Sequence, residues 1–408
     1  MSPIPRYRAQ RGPYILSAGF RPFFLLAALW AALAVPLWLA VFTGEGELPT
    51  RLLPTVWHVH EMVFGFAAAT VAGFLLTAIP NWTGRMPLQG GPLAALVLLW
   101  VAGRIAVLAS AAIGATAAAC LDLAFPLAFL AVVAREILAG RNWRNLPMLG
   151  ALTLLLAGNL LVHLEALGLA ETASLGNRIG VATLLMLISF VGGRIIPSFT
   201  RNWLAKQRPE SAAPAVFDAF DRAVLATTGI ALVTWVAAPD GVAAPWLELA
   251  AGIALAIRLA RWRGAATLRE PLVWILHLGY AWLALGFVLL ALSHGVAALP
   301  PTAALHALTA GAIGTMTLAV MTRATLGHSG RPLVAGPGTT TIYALVTMAA
   351  VLRLFVPFAG GQTLAALGLA GAAWSGAFLL FAALYLPAFT QAPLGKSAKT
   401  LPQGRSSH

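Results

Sequence analysis

Twelve stretches of about 20 apolar residues divide this chain, and few folds admit such a pattern. Each stretch is long enough to cross the hydrocarbon core of a bilayer as a helix. Within that core only helices and closed barrels satisfy their own backbone polar groups. The spans cover approximately 21–43, 56–79, 92–115, 117–139, 146–168, 176–199, 215–238, 243–262, 271–294, 302–325, 339–358 and 363–387. Charged residues make up 10% of the 408 and hydrophobic residues 60%, whereas a soluble domain carries about 25% charged residues. The sequence therefore predicts an all-α polytopic membrane protein. Residues 1–408 form a single transmembrane domain, and 388–408 a polar cytoplasmic tail.

The formal charge of +13 would suggest nucleic acid in a soluble protein. Here the basic residues sit in short loops between spans, so nucleic acid is not an expected partner. Arg85, Arg141, Arg144, Arg201, Lys206, Arg261, Arg263, Arg269 and Arg331 fall on one side, with the basic residues of both termini. The opposite loops hold only Arg51 and Arg178. By the positive-inside rule both termini are cytoplasmic. Cys120 is the only cysteine, which excludes an intramolecular disulfide, a thiolate cluster and covalent c-type haem attachment.

An internal echo recurs every four spans. Span 2 ends FLLTAIPNWTGR, span 6 ends FVGGRIIPSFTRNW, and span 10 ends LAVMTRATLGHSGR more loosely. This pattern suggests three four-helix units, with Ile-Pro acting as a helix stop. The polar stretch from Trp203 to Pro214 reads as a midpoint linker.

Ionisable groups inside a membrane are costly and usually functional. His58 and His60 lie at the outer mouth of span 2, His163 near the outer end of span 5, and His306 in the first turns of span 10. These four share a depth. His294 ends span 9, while His277 and His328 lie toward the cytoplasm. Imidazole suits iron and copper, so metal or haem ligation is the functional reading. The plain alternative at each position is a hydrated or hydrogen-bonded histidine. His58 and His60 are two residues apart, about 200° on a helix, and should serve different partners. His306 shares a face with Ala303, Ala310 and Gly314, where a flat macrocycle or a neighbouring helix could come close. His277 and Tyr280 form either a redox or proton-transfer pair or a simple hydrogen-bonded one. Arg104, Arg194 and Arg353 lie within spans, as does Asp122. The arginines suit haem propionates, or Arg104 pairs with Asp122 across helices.

The chain resembles the NnrS family of haem- and copper-containing membrane proteins of the nitric oxide stress response. The resemblance rests on Ser17-Ala18-Gly19-Phe20-Arg21-Pro22, Trp57-His58-Val59-His60-Glu61-Met62, Ile79-Pro80-Asn81-Trp82 and Arg194-Ile195-Ile196-Pro197. It extends through His277-Leu278-Gly279-Tyr280, Gly314-Thr315-Met316-Thr317 and Gly327-His328-Ser329-Gly330-Arg331. It implies a bacterial inner-membrane location, haem b and copper as cofactors, and a role in denitrification and nitrosative stress. More distantly, the chain is similar to haem-copper oxidases, which place haem ligands on helices 2 and 10 of three four-helix groups. It departs from them in lacking an adjacent His-His pair, and His277 and Tyr280 are three apart rather than four.

Taken together, these observations predict haem between spans 2 and 10, with His60 (or His58) and His306 as axial ligands and Arg104 as a further contact. Copper would use His58 and His163, or His277, with His328 a further metal-ligand candidate. The expected activity is binding or reductive removal of nitric oxide, with quinol as a candidate electron donor and lipid as a partner. Alternative readings are a non-catalytic nitric oxide binder or sensor, and a transporter with structural histidines.

Overall fold

The computed structural model describes residues 12–207 and 213–394. The terminal arginines and lysines, Arg208 and most of the polar tail lie outside these residues. All the regular structure described is helical. Eleven helices are long and apolar enough to cross a membrane. They are α1 (Phe20–Phe42), α2 (Pro54–Thr83), α3 (Gly91–Leu108), α4 (Ala115–Ala139), α5 (Leu146–Ala166), α6 (Ala173–Gln207), α7 (Ala219–Ala237), α9 (Pro271–Ser293), α10 (Pro301–His328), α11 (Pro337–Phe355) and α12 (Thr363–Thr390). The predicted eighth span is α8 (Ala244–Ala260), only 17 residues long. That is the lower limit for a crossing, and α8 packs along both α7 and α9.

Prolines set many of the helix starts. One stands in the first two positions of α2, α3, α5, α8, α9, α10 and α11. At such positions its missing N–H has no partner to lose. The Ile-Pro pairs, expected to stop helices, do not. Pro80 lies inside α2, which continues to a left-handed cap at Gly84, and Pro197 lies inside α6, which continues to Gln207. Within a bundle, neighbouring helices and local adjustment satisfy the carbonyl that a proline leaves free. The expected midpoint linker is therefore helical as far as Gln207.

Most helices pack against their neighbours in sequence, and α12 packs against α1. Near the middle, α2, α6 and α10 contact one another. The most apolar windows of α2, α9 and α10 are 67% buried and those of α6 and α12 are 56% and 50% buried, against 33–39% for α1, α3, α4, α5, α7 and α11. The every-fourth-span echo thus corresponds to three helices around one centre.

Two of these central helices share an unusual turn. In α2 the segment Glu61–Ala67 is a π-helix, immediately after His60. In α10 the segment Ala307–Gly314 is also a π-helix, immediately after His306. π-helical turns are rare and occur mostly at functional sites. Helix α6 has none.

Candidate metal centre

The π-turn of α2 opens onto a buried ionic cluster assembled from five helices. Glu61 and His60 are fully buried, Asp122 on α4 is 1% exposed, and Arg104 on α3 is 3% exposed. Asn159 and His163, one turn apart on α5, complete the group with Trp30 of α1. Arg104 bridges the two carboxylates, donating to Glu61 Oε2 at 2.6 Å and to Asp122 Oδ1. Trp30 Nε1 donates to the same Glu61 oxygen at 2.7 Å. His60 places Nδ1 2.9 Å from Glu61 Oε1 and Nε2 2.8 Å from Asn159 Oδ1. Asn159 Nδ2 donates to Asp122 Oδ2 at 2.8 Å.

Glycines make this crowding possible. A Cβ on Gly65 would stand 2.8 Å from Glu61 Oε2 and 2.9 Å from Arg104 Nη1. A Cβ on Gly103 would stand 2.8 Å from Asp122 Oδ1. The Gly65 carbonyl accepts from Trp100 Nε1 at 3.1 Å, so it too is satisfied. The expected ion pair of Arg104 with Asp122 is present. Both terminal nitrogens of Arg104 are directed at carboxylates of the protein itself, while its Nε is buried without a partner among the described residues.

Three ligand atoms of this cluster converge. His60 Nε2 and His163 Nε2 lie 3.3 and 2.9 Å from the same oxygen, Asp122 Oδ2, and one ligand atom from each of the three residues lies within 4.8 Å of the others. Two imidazole nitrogens and a carboxylate oxygen are a donor set suited to a divalent transition metal. The charge of the cluster must also be balanced. With neutral imidazoles, two carboxylates face one guanidinium, which leaves one negative charge buried. A cation or a proton must offset it.

The remaining histidines separate into distinct settings. His58 faces away from His60, as their spacing requires, and stacks on Trp38 of α1 at 4.3 Å between ring centroids. It lies within electrostatic reach of His306 and of Arg353 on α11. His306 Nδ1 donates to the Thr302 carbonyl at 2.6 Å, which leaves Nε2 as the free lone pair. Metal-binding histidines are oriented in this way. Of the four histidines at one depth, His60 and His163 thus share one carboxylate, while His58 and His306 have other partners. The described partners of His60 are Glu61, Asn159, Asp122, Phe64 and His163, and His306 is not among them.

The small residues of α10 meet tryptophans rather than open space. Gly311 lies against Trp282 and Gly314 against Trp374, so closely that a Cβ would fall 2.7 and 2.5 Å from those rings. His277 and Tyr280 do not bond to each other. His277 Nε2 is 2.9 Å from Thr200 Oγ1, and Tyr280 Oη accepts from Arg258 at 3.1 Å. His294 reaches the buried Glu248 at 3.1 Å, and His328 lies against Phe20 at 6.0 Å. The candidate list from sequence omitted Asp122, Glu61 and Asn159 as site members. Asp122 was legible as an ion-pair partner of Arg104.

These features define a polytopic helical membrane protein with a buried histidine–carboxylate cluster able to hold a metal ion. A family profile described as NnrS protein matches residues 14–392. The chain belongs to the NnrS family, which fits a membrane protein linked to nitric oxide stress. No curated protein matches it.

Proposed function

We propose that this protein binds nitric oxide at metal centres held within the membrane and removes it by reduction. The observation that carries this reading is the convergence of His60, His163 and Asp122 on one point inside a sealed ionic cluster. Copper suits two imidazoles and a carboxylate without thiolate. Glu61 fixes His60 through Nδ1, and Arg104 and Asn159 hold Asp122, so the ligands are oriented by a second set of hydrogen bonds.

His58 and His306 fit haem b. His306 presents Nε2, and the His58 Nδ1, Trp38 Nε1 and Trp57 Nε1 atoms are buried without a partner among the described residues. Arg353 makes no hydrogen bond or ion pair among them either, and a guanidinium in this position suits a propionate. When bound, haem and copper supply one-electron redox chemistry and a coordination position for nitric oxide. Quinol dissolved in the bilayer is the electron donor of this reading, in a bacterial inner membrane with both termini cytoplasmic.

The test is metal analysis and optical spectra of detergent-purified protein, oxidised, reduced, and reduced with nitric oxide. His306→Ala should lose the haem spectrum and keep copper. His163→Gln should lose copper and keep haem. Full haem in the first variant, or full copper in the second, overturns the assignment. Turnover of nitric oxide with a quinol separates reduction from binding alone.

A further inference from the structure

A chamber of about 100 Å³ lies between α2, α6 and α10, the three central helices, with Met148 of α5 at its edge. Its walls include Ala67, Phe74, Leu184, Ile188, Ile313 and Val320. The hydroxyls of its two threonines are turned away into their own helices, Thr70 to the Phe66 carbonyl at 3.2 Å and Thr317 to the Gly314 carbonyl at 2.9 Å. No polar group is left to hold water. Dry cavities of comparable size, lined by aliphatic and aromatic groups, take up xenon or benzene. This one is far too small for a macrocycle and well matched to a diatomic gas.

Its place relative to the histidines is specific. The π-turn Glu61–Ala67 has His60 at one end and a chamber wall, Ala67, at the other. The π-turn Ala307–Gly314 has His306 at one end and a wall, Ile313, near the other. Phe64 lies beside His60, its ring 5.4 Å from the His60 ring and fitted against Gly158 and Gly180, where a Cβ would fall 3.2 and 2.7 Å from it. Leu184, one turn beyond Gly180, is chamber wall.

We propose that this chamber is a docking site for a small, neutral, apolar molecule. That the natural occupant is nitric oxide rests on the function proposed above. The chamber is partly open rather than sealed.

Xenon tests the docking site without involving any metal. Crystals of the full-length protein under xenon pressure should show a xenon peak between Ile188 and Ile313. Ile188→Trp and, from another wall, Ile313→Phe should each abolish the peak while leaving the metal content unchanged. Xenon bound elsewhere in the protein but not in the chamber overturns the proposal. For nitric oxide itself, the filled variants should slow association with the metal-loaded protein about tenfold, with metal spectra unaltered. Unchanged association in both filled variants would show a void with no part in ligand delivery. Loss of copper or haem binding in the histidine variants bears on the metal centres alone, so the two proposals fail separately.

Discussion

His163 and His60, from different helices, meet the same carboxylate oxygen of Asp122, at 2.9 and 3.3 Å. The other oxygen belongs to Arg104. Asp122→Asn keeps the shape and removes the charge. It should abolish copper binding and leave Arg104 with Glu61 as its only anionic partner. Breaking a buried pair by removing one partner costs about 3–5 kcal/mol. Thermal unfolding in detergent and copper analysis measure the two effects. An unchanged copper content would remove Asp122 from the ligand set.

Gly65 is packed against three polar side chains, with Glu61 Oε2, Arg104 Nη1 and Trp30 Nε1 all within 3.0 Å of where a Cβ would be. Gly65→Ala should therefore destabilise the protein by about 1–3 kcal/mol, the usual cost of overpacking. Gly192→Ala is the control, because its Cβ would find only ordinary contacts, the nearest at 3.4 Å. Equal melting temperatures for the two variants would contradict this account.

Arg353 carries a charge that no described residue neutralises. If it holds a propionate, Arg353→Gln should lower haem occupancy several-fold while copper is retained, and Arg353→Lys should recover part of the loss. A lysine supplies the charge but not the two-pronged geometry. Haem titration of the apoprotein reads this directly. Full occupancy in Arg353→Gln would leave the arginine at the lipid interface.

Outside the membrane-spanning segments, Asp218 caps α7 and is held by the Arg261 guanidinium, which keeps its carboxyl below the usual carboxylate range. A carboxyl depressed in the folded state stabilises that state above its ordinary pKa, and the gain is lost as pH falls through the folded value. Asp218→Asn should lower the melting temperature at pH 7, and the difference from the parent should shrink toward strongly acid pH. The pair is exposed, so salt should also weaken it. A difference independent of pH and salt would place the effect in the cap hydrogen bond to Asp221.

The crossings were legible because apolar length is a direct physical requirement of the bilayer, and α8 was found despite its 17 residues. The separation of His58 from His60 followed from helical geometry. So did the Arg104–Asp122 pair, since two buried opposite charges on consecutive spans have few other solutions. The choice of His163 over His306 as neighbour to His60 was not legible. It depends on which helices are adjacent and on two glycines, Gly65 and Gly103, that look like any others in an alanine- and glycine-rich membrane chain. The π-turns were equally hidden, because EMVFGFA and ALTAGAIG carry no residue that demands one.

Those turns have a consequence for how the chain can change. A π-turn accommodates one residue more than the α-helix around it would hold. Each residue of an α-helix advances the register by about 100°. Forcing Glu61–Ala67 into ordinary α-helix at its present length would therefore swing His60 about a quarter-turn relative to Ala67 and everything below it, whereas deleting one residue of the turn would let α2 close into ordinary helix with His60 still in register. The same holds for His306 above Ile313. The direction in which each histidine points is thus written as a residue count and the width of a turn rather than as a residue identity.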